Sequence, residues 1–229
     1  NNSTISTNTA TLSRGGGISN NSGATVTLTN STISGNSATN SGGGIVNSGS
    51  LTVTNSTLSG NTAGLVGGGI NNKSGATLTV TNSTLSGNTA SNGGGIFNNS
   101  GDTLNIANTI IANSTDGAST PAAIDDYSGG GTVNLIVSGN VNDPTTLANN
   151  IVTLDTNTNT LTNTSSWATV VTSAALNLGP LQNNGGPTDT IALTASTPLS
   201  VRTGGNATIS NAAPINALDQ RGIARSTTA

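Results

Sequence analysis

The tetrapeptide Gly-Gly-Gly-Ile begins at Gly15, Gly42, Gly67 and Gly93, at spacings of 27, 25 and 26 residues. A self-similar period of this length is the mark of a solenoid, in which one repeat is one coil and cannot bury its apolar side chains alone. After each GGGI come one variable residue and an asparagine: Asn20, Asn47, Asn72 and Asn98. Then follows an alternating run, VTLTN, LTVTN, LTVTN and LNIAN, ending at Asn30, Asn55, Asn82 and Asn108. Each run continues into STISGN, STLSGN, STLSGN or TIIANS, which adds a third column, Asn36, Asn61 and Asn88. The opening NNSTISTN is the tail of one more copy.

Within each alternating run the apolar residues recur every second position, so they share one face of a strand and the threonines take the other. The expected core therefore consists of columns: Ile18, Ile45, Ile70 and Ile96; Val26 with Leu28, Leu51 with Val53, Leu78 with Val80, and Leu104 with Ile106; then Ile33, Leu58, Leu85 and Ile111. Three short strands with a corner after each describe an all-β parallel β-helix of about 26 residues per coil. Asparagine tolerates the left-handed backbone that tight corners need. Stacked at the spacing of about 4.8 Å between strands, its amide reaches the same amide of the next coil. All three asparagine columns are expected as structural corner ladders, and the GGG runs as a bend free of side chains.

The repeat fades after Ser114, and all six prolines lie beyond it, from Pro121 to Pro214. Strand-like runs persist at 132–140, 151–155, 161–171 and 190–195, with 179–189 read as a turn string. The expectation is one β-helix domain over 1–229, with regular coils in 1–114, and irregular coils plus loops that cap the C-terminal end in 115–229.

Composition closes off many functions. The chain has no Cys, His or Met, and all eight acids are Asp. A conventional zinc site, an imidazole base, a thiol nucleophile and a disulfide are excluded. Five basic residues against a net charge of −3 do not make a nucleic-acid surface, and no apolar run is long enough to span a bilayer. No cofactor is expected. More than half of the chain is Asn, Thr, Ser and Gly, which disfavours helices.

Glycoside hydrolysis needs two carboxyls flanking a bond. The only adjacent pair is Asp125–Asp126; Asp102, Asp116, Asp143, Asp155, Asp189 and Asp219 are scattered singly. Lys73 and Arg14, the bases a lyase would call on, have no acid close in sequence. Asp125 and Asp126 with Asp116 offer hard oxygen ligands for calcium, but are read as a solvated loop, so no metal site is assigned. Asp219, Arg221 and Arg225 are a candidate terminal ion-pair cluster. Two threonine columns, Thr27, Thr52, Thr79 and Thr29, Thr54, Thr81, form a T-x-T array that gives way to Asn105 and Ala107 in the fourth coil. Such arrays resemble the ice-binding faces of some antifreeze solenoids. Asn-x-Ser/Thr sequons occur at Asn30, Asn55, Asn82, Asn113, Asn163 and Asn206, the first three in a corner column, and exposed Ser and Thr would accept O-linked sugars.

Four strings carry a family resemblance: NTIIAN (108–113), DDYSGGGTVN (125–134), LGPLQNNGGPTDTIAL (178–193) and DQRGIAR (219–225). In this order they resemble the bacterial choice-of-anchor Q domain, and the GGGI repeats are loosely similar to the repeats of chlamydial polymorphic outer-membrane proteins. The family's Cys is absent, with Asp126 and Tyr127 near its place, and the strand that normally follows DQRGxAR is missing. The resemblance implies a right-handed parallel β-helix on a bacterial surface or in extracellular material, without enzymatic activity. The functional expectation is a structural or adhesive surface protein. Its expected partners are further copies of itself, joined head to tail into a filament, and surface glycans. The alternatives are a carbohydrate-active or carbohydrate-binding β-helix, of the lyase or hydrolase kind, and an ice-binding T-x-T face.

Overall fold

The computed structural model describes residues 1–11, 14–117, 124–135, 151–153, 169–171 and 178–193. Across them the chain is an all-β parallel solenoid. Strands from successive coils stack in chain order into long parallel sheets. Sheet A contains Thr4–Ser6, Thr32–Ser34, Thr57–Ser59, Thr84–Ser86, Ile110–Ala112, Ile151–Thr153 and Thr169–Val171. Sheet C contains Ile18–Asn20, Ile45–Asn47, Ile70–Asn72, Ile96–Asn98 and Tyr127–Ser128. Sheet D contains Thr25–Thr29, Ser50–Thr54, Thr77–Thr81, Thr103–Ala107 and Thr132–Leu135. Between sheets A and C runs sheet B, a narrow fourth ribbon of two-residue strands, Thr9–Ala10, Ser37–Ala38 and Thr62–Ala63, which the three-strand expectation did not include.

Register is set by the apolar columns. Ile18, Ile45, Ile70 and Ile96 pair in succession, as do Val26, Leu51, Leu78 and Leu104, and Ile33, Leu58, Leu85 and Ile111. Leu28, Val53, Val80 and Ile106 complete one continuous core, while Ile5, Ile18 and Val26 of the first coils are only partly buried against it. A slip of one residue would turn each of these columns to the outside. At about 1.5–3 kcal/mol per buried Leu, Ile or Val, the columns are the main driving force for stacking.

The glycine triplets act as expected, each residue for its own reason. Gly42 has φ +64°. A Cβ on Gly43 would lie within van der Waals distance of the Thr62 and Gly68 carbonyls, and one on Gly44 would meet the Gly69 carbonyl at 2.6 Å and the Asn61 amide carbon at 3.2 Å. The triplet thus lets two coils and a buried asparagine meet without side chains between them.

After Ser114 the ribbon of sheet B ends in a reversal, where Thr115 pairs antiparallel with Ile124. Sheets A, C and D nevertheless continue: Tyr127 takes the place of the GGGI isoleucine beside Ile96, Val133 packs against the core beside Leu104, and Leu135 pairs with Ile106. The string read as a turn, 179–189, holds both a strand and the turn of a hairpin, since Leu178–Gln182 pairs antiparallel with Thr190–Leu193. This hairpin lies on the flank of the early coils. The Thr32 hydroxyl donates to the Asp189 carbonyl, and the Thr188 hydroxyl donates to the Asn30 carbonyl at 3.3 Å. Through these bonds the hairpin touches the corner between sheets D and A at residues 30–32. Asp143, Asp155, Asn163, Trp167, Asn206, Asp219, Arg221 and Arg225 lie outside the described residues.

Candidate functional site

The three asparagine columns turn out to do different work. Asn20, Asn47, Asn72 and Asn98 follow an inward-facing isoleucine by two positions, so they also point inside, and all four are buried. Asn20 donates from Nδ2 to Asn47 Oδ1 at 2.7 Å, Asn47 to Asn72 at 2.7 Å, and Asn72 to Asn98 at 2.8 Å. The same Nδ2 groups reach forward to the first carbonyl of the sheet D strand one coil on: Ser50 and Thr77 at 3.0 Å, Thr103 at 3.2 Å and Thr132 at 3.3 Å. Each amide therefore ties two coils and fixes the start of the next strand.

In the third column Asn36 donates to Asn61 at 3.0 Å and Asn61 to Asn88 at 2.9 Å, while each Oδ1 also accepts the backbone N–H of the preceding asparagine. Neither of these two columns uses a left-handed backbone, contrary to the expectation that all three would. In the third column Gly35, Gly60 and Gly87, one residue earlier, take φ of 61–64°. Only the middle column, Asn30, Asn55, Asn82 and Asn108, is left-handed itself, with φ of 48–51°. Its amides run the other way, Asn55 donating to Asn30 at 2.6 Å and Asn108 to Asn82 at 3.2 Å.

Sequence reasoning missed two further ladder parts that carry a signal. Asn8 extends the third column, donating to Asn36 Oδ1 at 2.9 Å, with Thr7 at φ 56° standing where later coils have glycine. Ser31, Ser56 and Ser83 form a serine ladder: the N–H of Ser31 donates to Ser56 Oγ and that of Ser56 to Ser83 Oγ, both at 3.1 Å, and each hydroxyl donates two residues back at 2.8 Å. The sequon Asn55-Ser56-Thr57 is buried throughout, in keeping with a corner ladder.

The acids do not form a solvated loop. Asp125 and Asp126 are fully buried, and Asp116 and Asp102 nearly so. Asp125 and Asp126 stand where a fifth glycine triplet would lie, since their carbonyls accept from Gly95 and Ile96. The break in the period leaves room there for side chains. Asp125 Oδ2 accepts the Gly93 N–H, and Asp126 Oδ1 accepts the Ser114 N–H, both at 2.7 Å. Asp126 thereby takes over the acceptor role that an asparagine has in each earlier coil. Asp102 Oδ1 accepts from the Gly75 and Ala76 N–H groups at 2.6 and 2.9 Å. Charge-assisted bonds of this kind are the strong ones. Among the described residues no three acids gather to hold a metal ion. Burial pushes the Tyr127 phenol above its ordinary range, opposed by a long contact from Asn98 Nδ2 at 3.5 Å. Burial also lowers Lys73, with the positive charge of Arg14 acting the same way and Asp102 opposing.

The threonine array is displaced from where the sequence put it. Thr29 and Thr54 are buried, Thr54 with its hydroxyl 3.1 Å from that of Thr81. On sheet A the outward Thr32 and Thr57 are buried too. The hairpin that bonds to Asn30 and Thr32 runs across this flank, and its arrival from about 150 residues away was invisible to local periodicity. The open array is the outer face of sheet D. Its first column is Thr25, Ser50, Thr77, Thr103 and Thr132; its second is Thr27, Thr52, Thr79, Asn105 and Asn134. All ten are exposed or half-exposed. At the edge of the face, the corner of the second coil is two residues shorter than its neighbours, four steps from Asn47 to Leu51 against six from Asn72 to Leu78. The shortfall leaves a polar notch of 310 Å³ beside Ser22, Gly49 and Ser74.

Comparison with protein-family models, curated proteins and solved structures returns no match. Among the described residues no helix is long and apolar enough to cross a membrane.

Proposed function

We propose that this chain is a structural and adhesive rod of a bacterial surface or extracellular matrix, with no enzymatic chemistry of its own. The observation that carries this reading is where the four described acids of the coils go. Asp102, Asp116, Asp125 and Asp126 are buried in the coil stack, and three of them accept backbone N–H groups. A hydrolase needs two carboxyls facing a substrate cleft; these face the backbone. What the coils turn outward is mostly Ser, Thr, Asn and Gly, a neutral, hydrated surface suited to a spacer or contact element. The choice-of-anchor Q resemblance of 178–193 and 219–225 supports placement outside a bacterial cell.

Head-to-tail association belongs to the same proposal. Such a contact is heterologous, so it extends rather than closes. Surface glycans remain the adhesive partner proposed.

The test combines two assays on the purified chain. Incubation with a panel of polysaccharides is expected to release no new reducing ends or unsaturated products, and chain-coated beads are expected to attach to bacterial cells more than uncoated beads do. Cleavage that disappears in a folded Asp125→Asn variant would overturn the reading, as would beads that attach no better than uncoated ones.

A further inference from the structure

We propose that the outer face of sheet D binds an ordered water lattice, the surface of an ice crystal. This goes beyond the structural reading above and does not depend on it. The face is a two-dimensional net of uncharged hydroxyl, methyl and amide groups, five rungs deep and two columns wide, with no register shift between rungs. Its repeats follow from strand geometry: about 4.8 Å between rungs and about 6.7 Å between alternate residues of one strand. A small molecule matches neither repeat, and a single polymer chain matches one. A crystal face of hexagonal ice presents two comparable repeats at once.

The net is also stiff. Threonine has a restricted χ1, and the second column is tied together where Asn105 Nδ2 donates to Thr79 Oγ1 at 3.4 Å and Asn134 Nδ2 to Asn105 Oδ1 at 3.1 Å. Behind the first column, the buried Asn20-to-Asn98 ladder holds the carbonyls of Ser50, Thr77, Thr103 and Thr132. Groups fixed before binding lose little freedom on contact. The array expected from sequence had three rungs of paired threonines, of which Thr29 and Thr54 are buried; the observed one has five rungs with both columns open. On sheet A, by contrast, the outward Thr32 and Thr57 are buried. A glycan chain would call for aromatic platforms, and this face has none.

The experiment measures thermal hysteresis and ice recrystallisation in the purified 229-residue chain, together with uptake of the fluorescently labelled chain into a growing ice crystal. The wild type is expected to slow recrystallisation and enter the crystal. Thr52→Lys/Thr79→Lys is expected to lose at least ten-fold in both readouts with an unchanged circular dichroism spectrum. Leu65→Lys, at an exposed site away from the face, is expected to retain full activity. A wild type that behaves like serum albumin, a double variant that keeps its activity, or binding to crystalline cellulose or chitin with no effect on ice would each overturn the proposal.

Discussion

Replacing Asn61 by Ala tests whether the buried ladders hold the coils together. Asn61 has no exposed surface. Its Nδ2 donates to Asn88 Oδ1 at 2.9 Å and to the Ile33 carbonyl at 3.0 Å; its Oδ1 accepts from the Asn36 N–H and the Asn36 amide, both at 3.0 Å. Alanine removes all four bonds. Asn88 Oδ1 keeps the Asn61 N–H, and Asn36 Nδ2 keeps the Ile5 carbonyl, so those groups are only weakened. The Asn36 N–H loses the acceptor it has. Four net bonds at about 1 kcal/mol each, plus about 1–2 kcal/mol for a buried donor without its partner, give a loss of about 5–6 kcal/mol. That is comparable with the whole stability of many domains. Urea unfolding followed by far-UV circular dichroism reads the change. Asn134→Ala, which removes one exposed bond to Asn105, is the control, expected to cost under about 1 kcal/mol. If Asn61→Ala costs no more than the control, the ladders do not stabilise the stack.

Leu58→Asp is expected to unfold the repeat, because a fully buried side chain would become an unpaired charge, while Thr52→Asp on the open face is expected to leave the urea midpoint nearly unchanged; equal tolerance would refute the inward and outward assignment. Gly44→Ala is expected to cost about 1–3 kcal/mol through overpacking against the Gly69 carbonyl and Asn61, whereas Gly130→Ala, where the nearest atom stands at 3.8 Å, is expected to cost far less in the same urea assay. The chain has one tyrosine, so ultraviolet titration of its phenolate reports Tyr127 alone. Its folded pKa is raised, so its contribution to stability is fully present below the unfolded value of about 10 and is lost as pH rises through the folded one. Phenolate should therefore appear at higher pH in the native chain than in urea, and Tyr127→Phe should remove that part of the alkaline loss; titration at the same pH in both states would refute it.

The regular coils were legible because each coil repeats the same assignments. Leu51, Val53 and Leu58 recur at matching offsets in the neighbouring coils, and Ile45 closes its glycine triplet as Ile18 and Ile70 close theirs; that recurrence supplies both inside and register. The ladders were legible as columns but not in their backbone roles. Gly35, Gly60 and Gly87 take the left-handed turn cheaply and leave Asn36, Asn61 and Asn88 free to point inward, a division of labour that composition does not reveal. Long-range contacts were not legible. Thr29 and Thr54 look like surface threonines in their own strands, and Thr32 and Asn30 meet the hairpin through residues 188 and 189. Asp126 could be recognised as the successor to a ladder asparagine only once the chain reversal between Thr115 and Ile124 had placed it beneath Ser114.

The central claim is that a polar spine of buried amides holds the coil stack together, and hydrogen exchange of the asparagine side chains tests it most directly. The Nδ2 protons of Asn47, Asn61 and Asn72 can be followed by NMR in deuterated water beside those of the exposed Asn183. The ladder amides are expected to be protected to the same degree as the backbone amides of Leu51, Leu58 and Leu78, and to exchange only when the stack opens. Exchange of the Asn47, Asn61 and Asn72 amides as fast as that of Asn183, while the backbone stays protected, would contradict the account.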